Sequence, residues 1–346
     1  ALGADNTLLN FASAHSHVEL EQFAEALPHF EKALAPETEN EFYYYLRALA
    51  TYKTKGAAAA IKDLDKALSI KSNHAQALTL RGQTRFDLKD WSGVIEDLAP
   101  LTRNSRPAAE VYQMLGIASY HEKQGDDVIQ YLNIAIAQGV EDAFTYFCRA
   151  TAFFDKKNFE ASSADFSKAI DAGYTQQQAF LLRGYAYFCM KKFAESIQDL
   201  DKALELGASE PELYFSRGYA RYETKDYEGA LQDFNQAIQL NPEYTEAYIK
   251  RANSKFRIKD YHEAIADYDQ AIALGNEEAI VYNNRGKAKH LLDMHNEAIT
   301  DYNKALEIDA NYGKALENRS QALYLQEKYQ EAISDFLRLQ KLGKLA

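Results

Sequence analysis

Apolar and polar positions along this chain follow a pattern that recurs every 34 residues. Each block carries one run of apolar residues at helical spacing, a short polar turn, and a second such run. This spacing predicts two antiparallel helices per block, A and B. The blocks start at Thr7, Glu41, Ala75, Ala109, Ala143, Gln177, Pro211, Thr245, Ala279 and Gly313, and ten of them fill residues 7–346 without an insertion. In block 211–244 the pattern places helix A over 213–223, a turn at 225–227, and helix B over 228–240, closed by Asn241 and Pro242. A period of this length with two helices per unit marks a solenoid, whose units cannot bury their apolar faces singly.

Small residues recur where two helices have to approach closely. Position 8 of the blocks is Ala, Gly or Ser throughout, from Ala14 to Ser320. Position 20 is mostly Ala or Ser, and position 27 is Ala except at Leu101 and Leu339. Position 24 is always large: Phe30, Leu64, Leu98, Leu132, Phe166, Leu200, Phe234, Tyr268, Tyr302 and Phe336. Large side chains entering gaps left by small ones is how helix pairs pack. At position 31, Gly139, Gly173, Gly207, Gly275 and Gly343, with Asn241 and Asp309, are read as left-handed helix stops. Pro28 and Pro100 fall inside B helices and are expected to bend or shorten them.

Two positions vary together. Arg stands at position 7 and Asp at position 23 in the same eight blocks, from Arg47 and Asp63 to Arg319 and Asp335. The two blocks without the Arg (Ser13, Leu115) also lack the Asp (His29, Tyr131). This predicts an ion pair stapling helix A to helix B in each of the eight.

The small residue at 8, the aromatics at 4, 17 and 24, and Ala at 20 and 27 resemble the tetratricopeptide repeat (TPR) family over nearly the whole chain. Repeats 7 to 9 match best. Val94, Val128 and Gly125 depart from the pattern in the first half. The resemblance implies an all-α TPR solenoid, a right-handed superhelix forming a single domain over residues 1–346. Helix A would line its concave surface, and ten repeats would wrap somewhat more than one turn.

On helix A, positions 2, 5, 9 and 12–13 share one side. In repeats 2 to 7 this stripe is aromatic and aliphatic. Phe42, Tyr45, Phe144, Phe147, Phe215 and Tyr219 have no evident intramolecular partner in the sequence pattern, and Tyr185 joins them as a candidate anchor. In repeats 8 to 10 the stripe turns polar and basic, with Lys250, Asn253, Arg257, Asn284, Lys287 and Lys314 as candidate partner-binding residues. Position 12, aromatic in eight repeats, is read as packing. Exposed apolar grooves mark binding sites, and Tyr and Phe anchors suit a partner peptide or helix. Some TPR co-chaperones hold acidic C-terminal tails with a carboxylate clamp. Asn253, Asn284 and Lys314 match its pattern, whereas Ile249 and Asn318 do not.

The net charge of −12 is spread along the chain and offers no basic face for nucleic acid. No apolar run is long enough for membrane insertion. Cys148 and Cys189 have no CxxC spacing and read as free thiols, which favours a reducing compartment such as the cytoplasm. The start Ala-Leu-Gly-Ala also fits a processed end, and with it a periplasmic or secreted location. No phosphate loop, nucleophile elbow or zinc-helix motif occurs, so neither catalysis nor a cofactor is expected. The His15/His17 and His290/His295 pairs lack the neighbours of a metal site and are read as surface or packing histidines. Phe336, Leu337, Leu339, Leu342 and Leu345 are expected near an uncovered end of the solenoid, a place for self-association. The function expected is a non-catalytic protein-interaction scaffold, an adaptor or assembly factor. The alternatives are a TPR lobe of a larger enzyme or secretion complex, or a co-chaperone that binds an acidic C-terminal tail.

Overall fold

The computed structural model describes residues 2–33, 39–104 and 106–343, and among them every regular element is a helix. The chain divides into two compact units, residues 1–174 and 175–346, each described by itself. The first holds repeats 1 to 5 and the second repeats 6 to 10.

In the first unit the A/B pairs are Leu2–Glu19 with Phe23–Ala33, Glu41–Lys55 with Ala57–Ile70, Ala75–Asp87 with Trp91–Leu98, Ala109–His121 with Gly125–Ala137, and Ala143–Asp155 with Phe159–Asp171. In the second unit they are Gln177–Cys189 with Phe193–Glu205, Pro211–Glu223 with Tyr227–Leu240, Thr245–Arg257 with Tyr261–Ala273, Ala279–His290 with His295–Ile308, and Gly313–Leu325 with Tyr329–Lys341. The first A helix starts before the block boundary at Thr7. Repeat 7 starts its helix at Pro211, because proline fits the first helical position, where no intrahelical donor is needed. Its B helix opens at Tyr227, with the Asp226 side chain accepting from the Gly229 N–H.

Pro100 breaks the third B helix, and a short helix, Leu101–Asn104, follows. Pro28 is accommodated within Phe23–Ala33. The five position-31 glycines have positive φ as expected. Asn241 and Asp309 do not: at φ −135° and −131° they are extended, and their helices run on through Leu240 and Ile308 before stopping. The A–B turn lies where the sequence pattern put it, but the pattern did not give its left-handed residue. Lys89, Lys123, Lys157, Lys191, Lys225 and Lys259 sit there at positive φ, and the corresponding Glu21, Asp293 and Glu327 do the same.

Packing follows the small–large rule. A Cβ added at Gly116 would lie 2.2 Å from Leu132 Cδ2, and one at Gly218 would lie 3.0 Å from Phe234 Cε1. The position-24 side chain is fully buried in repeats 1 to 9. It also reaches position 3 of the following repeat. Phe30 meets Tyr43 edge-on at 6.0 Å, and Leu64 with Ala77, Leu98 with Val111, Leu200 with Leu213 and Tyr268 with Val281 share cores. One side chain thus joins two helices of its own repeat to the next, and burying each is worth about 1.5–3 kcal/mol.

All eight Arg–Asp staples form. Each Arg donates to its Asp, as in Arg81 Nε–Asp97 Oδ2 at 2.9 Å and Arg149 Nε–Asp165 Oδ2 at 2.6 Å. The same guanidinium reaches position 25 of the preceding repeat: Arg81 to Asp65, Arg149 to Asn133, Arg217 to Asp201, Arg251 to Asn235, Arg285 to Asp269 and Arg319 to Asn303. The staple is therefore also a link between repeats. Repeat 4 has Leu115 in place of the Arg, and the preceding position 25 is Ala99, which packs in the same apolar cluster.

Candidate functional site

The A-helix stripe keeps the register expected of it, but its aromatic members are not unpartnered. A residue from the loop closing the repeat covers the ring at position 5. Tyr45 lies 5.3 Å from His74, Phe147 is stacked 4.4 Å from Tyr174, and Phe215 lies 4.9 Å from Tyr244. Phe147 also packs on Phe166 and is 1% exposed, so it is a core residue and not a groove anchor. Phe42 contacts His15 and Tyr45, and Phe144 contacts Tyr120, Phe147 and Tyr174. Tyr185 packs against the core around Leu200 and Leu213. Tyr219 contacts Phe188, Phe193 and Phe215. Apart from Phe147, these rings are half-buried, each giving one face to its neighbours and part of its surface to solvent.

Position 12 packs as expected. Its ring meets position 17 across the A–B turn in Phe86–Trp91, Phe154–Phe159, Phe188–Phe193, Tyr222–Tyr227, Phe256–Tyr261 and Tyr324–Tyr329, at 5.3–6.2 Å. His290 and His295 make the same pair at 4.9 Å, and burial together with the neighbouring imidazole lowers the pKa of His290. Gly125 leaves repeat 4 without this partner, and Trp91 stacks on His121 at 4.1 Å.

In the first unit, the A helices of repeats 2 and 3 border an open cleft of about 660 Å³ lined by Tyr45, Leu49, Tyr52, Thr79 and Gln83. The Tyr52 hydroxyl donates to Asp87 at 2.6 Å, and burial followed by that carboxylate pushes its pKa up to about 12. The phenol stays neutral and can donate at any physiological pH.

The second unit gathers the polar candidates. The Tyr268 hydroxyl donates to Asn253 Oδ1 at 2.6 Å, and Asn284 Nδ2 donates to the same oxygen at 3.3 Å. Asn283 donates to Asn284 Oδ1 at 3.2 Å, and Asn318 Nδ2 donates to Asn283 Oδ1 at 2.9 Å. The four asparagines form a ladder across the A helices of repeats 8, 9 and 10. Cations flank it. Lys250 Nζ lies 4.3 Å from the centre of the Tyr219 ring, and burial lowers its pKa. Arg257 Nε donates to the Tyr227 hydroxyl at 3.1 Å, while Lys287 lies over Phe256. Arg257, Lys287 and Lys314 are exposed. Asn283, 2% exposed, was not singled out from the sequence as a site residue, although two adjacent asparagines on an inner helix were the signal.

Family models cover much of the chain. Models described as TPR repeat match residues 218–259, and models described as tetratricopeptide repeat match 149–211, 245–274 and 279–312. A model of subunit 3 of the anaphase-promoting complex, or cyclosome, matches residues 19–98. The chain belongs to the tetratricopeptide repeat family. A search of curated proteins finds no match. Among solved structures, the TPR chain is similar to the C-terminal part of a TPR repeat-containing protein from Cytophaga hutchinsonii, at 16% identity and a TM-score of 0.50, covering 68% of this chain and 97% of that one. This likeness concerns the fold alone. It is also similar to YrrB, a TPR protein with an unusual peptide-binding site, at 22% identity and a TM-score of 0.49, covering 54% of this chain and 96% of that one. MamA from Desulfovibrio magneticus RS-1 matches at 18% identity and a TM-score of 0.47, covering 49% of this chain and 95% of that one.

No group of three or more His, Cys, Asp or Glu side chains is placed to hold a metal among the described residues. No helix among them is long and apolar enough to cross a membrane. Cys148 is buried and Cys189 exposed, both as free thiols.

Proposed function

We propose that this TPR protein is a non-catalytic scaffold, an adaptor or assembly factor, that holds a partner peptide or helix along the A-helix faces of its repeats. The asparagine ladder carries the reading. Four amide side chains join successive A helices through hydrogen bonds, with exposed cations beside them. Buried Asn283 ties the ladder together, while the part-exposed amides of Asn253, Asn284 and Asn318 are preorganised to bond a peptide backbone, and lysines at their flank suit an acidic side chain or a terminal carboxylate. The half-buried Phe215 and Tyr219 beside this patch offer apolar anchors, and in the first unit Tyr45 and Tyr52 do the same at their cleft. YrrB, with its peptide-binding site, is a precedent for the class of ligand.

The test is selection of peptides from a random display library on the immobilised full chain, followed by titration of the selected sequences. Acidic peptides are expected whose affinity falls about ten-fold or more in Lys287→Ala/Lys314→Ala, the cost of a charge-assisted contact. Selected peptides that bind the double variant as tightly as wild type would reject the charged half of the site.

A further inference from the structure

One ring is missing from repeat 4, and the space it would fill is open. The aromatic at position 17 sits between position 12 of its own repeat and position 9 or 13 of the next. Phe193 packs on Phe188 and Tyr219, and Trp91 packs on Phe86 and His121. Tyr227 packs on Tyr222, and its hydroxyl accepts from Arg257 at 3.1 Å. In repeat 4 position 17 is Gly125, and the surrounding positions are Tyr120, Thr151 and Asp155. These three, with the buried Val128 and Ala152, line an open cleft of about 510 Å³. The backbone does not call for glycine there. Gly125 is the first residue of its helix, its φ is not positive, and a Cβ added to it would meet only Lys156 Cε, at 4.0 Å. The cleft is open because a side chain is absent, not because the chain takes a special course.

Repeat 2 also lacks the ring, at Ala57, but there the carboxylate at position 13 of the next repeat is taken. Asp87 accepts from the Tyr52 hydroxyl at 2.6 Å and from Gln83 at 3.0 Å. Asp155 makes no hydrogen bond or ion pair among the described residues, and Lys156 beside it is engaged by Asp126. The Tyr120 ring is held edge-on by Phe144 and Phe147. The cleft thus combines the place of a ring, an aromatic wall, and a free acceptor at the position where the Tyr227 hydroxyl of repeat 7 finds its partner. We infer that it takes a tyrosine side chain presented by a partner protein, with the ring against Tyr120 and the hydroxyl donating to Asp155. A carboxylate acceptor favours a ring that carries a donor, and the open side leaves room for the partner's backbone. The site shares no residue with the asparagine ladder.

Trp91, the sole tryptophan, stacks on His121 at the edge of the cleft and reports its filling by fluorescence. The probes are N-acetyl-tyrosinamide and N-acetyl-phenylalaninamide, titrated into the full chain with excitation of the indole alone. The tyrosine probe is expected to saturate with a Kd of about 1 mM, and the phenylalanine probe to bind about five-fold more weakly, having lost one hydrogen bond. Asp155→Ala, a change at an exposed residue, should abolish that difference. Gly125→Phe gives repeat 4 its own ring, and it should raise the melting temperature and abolish saturable binding of both probes. A wild type without a saturable response would overturn the inference. So would equal affinities for the two probes, a preference that survives Asp155→Ala, or a folded Gly125→Phe variant that binds the tyrosine probe as wild type does. The Asp155→Ala arm decides even where Gly125→Phe does not fold.

Discussion

Arg251 donates two parallel hydrogen bonds to Asp267, from Nε at 2.8 Å and from Nη2 at 2.6 Å. A third, from Nη1 to Asn235 at 2.7 Å, ties the pair to the preceding repeat. Lys255 adds a second cation 2.9 Å from the same Asp. Three helices thus depend on one buried carboxylate. Asp267→Ala leaves both cations without it, and a loss of about 3 kcal/mol is expected. Arg251→Met/Lys255→Met/Asp267→Leu should cost much less than Asp267→Ala, because none of the three charges remains in the helix pair. Urea unfolding of the three proteins measures this. Equal losses would mean that the staple contributes its full Coulombic attraction and not merely the avoidance of an orphan.

Tyr268 and Tyr302 occupy the same register in adjacent repeats, and both are fully buried. The Tyr268 hydroxyl bonds Asn253, whereas the Tyr302 hydroxyl has no hydrogen-bond partner among the described residues. Tyr268→Phe should therefore destabilise by about 1 kcal/mol, while Tyr302→Phe is neutral or stabilising. Thermal melts of the two variants give the comparison, and the same shift in both would contradict it.

Burial, with His295 at 3.2 Å, lowers the pKa of His290. The folded state then binds a proton less readily than the unfolded chain. Its contribution to stability is complete above the unfolded histidine value of about 6.5 and is lost as pH falls from there through the depressed folded value. The urea midpoint should drop between about pH 7.5 and pH 5.5, and His290→Phe should flatten that drop. A slope unchanged by the substitution would place the proton uptake elsewhere.

Much of the fold was legible in the sequence because the ten repeats act as an alignment within one chain. The spacing of small residues and of position 24 gave the helix pairs, and the joint variation of positions 7 and 23 gave a three-dimensional contact. The link to position 25 lay within reach of the same comparison, since Asp65, Asn133, Asp201 and Asn235 occupy one register. The covering of Phe147 did not. A helical wheel places Phe147 on the groove side, but Tyr174 reaches it from a loop whose course no periodicity reports. The extended caps at Asn241 and Asp309 escaped for a related reason. Both residues tolerate the left-handed region without requiring it, and the neighbouring chain decides.

The central claim is that the A-helix face binds the partner. Hydrogen exchange on the full chain, with and without a peptide selected against it, tests this most directly. The account predicts slowed exchange in Thr245–Arg257, Ala279–His290 and Gly313–Leu325, with the intervening B helices Tyr261–Ala273 and His295–Ile308 unchanged. Protection confined to the B helices would contradict it.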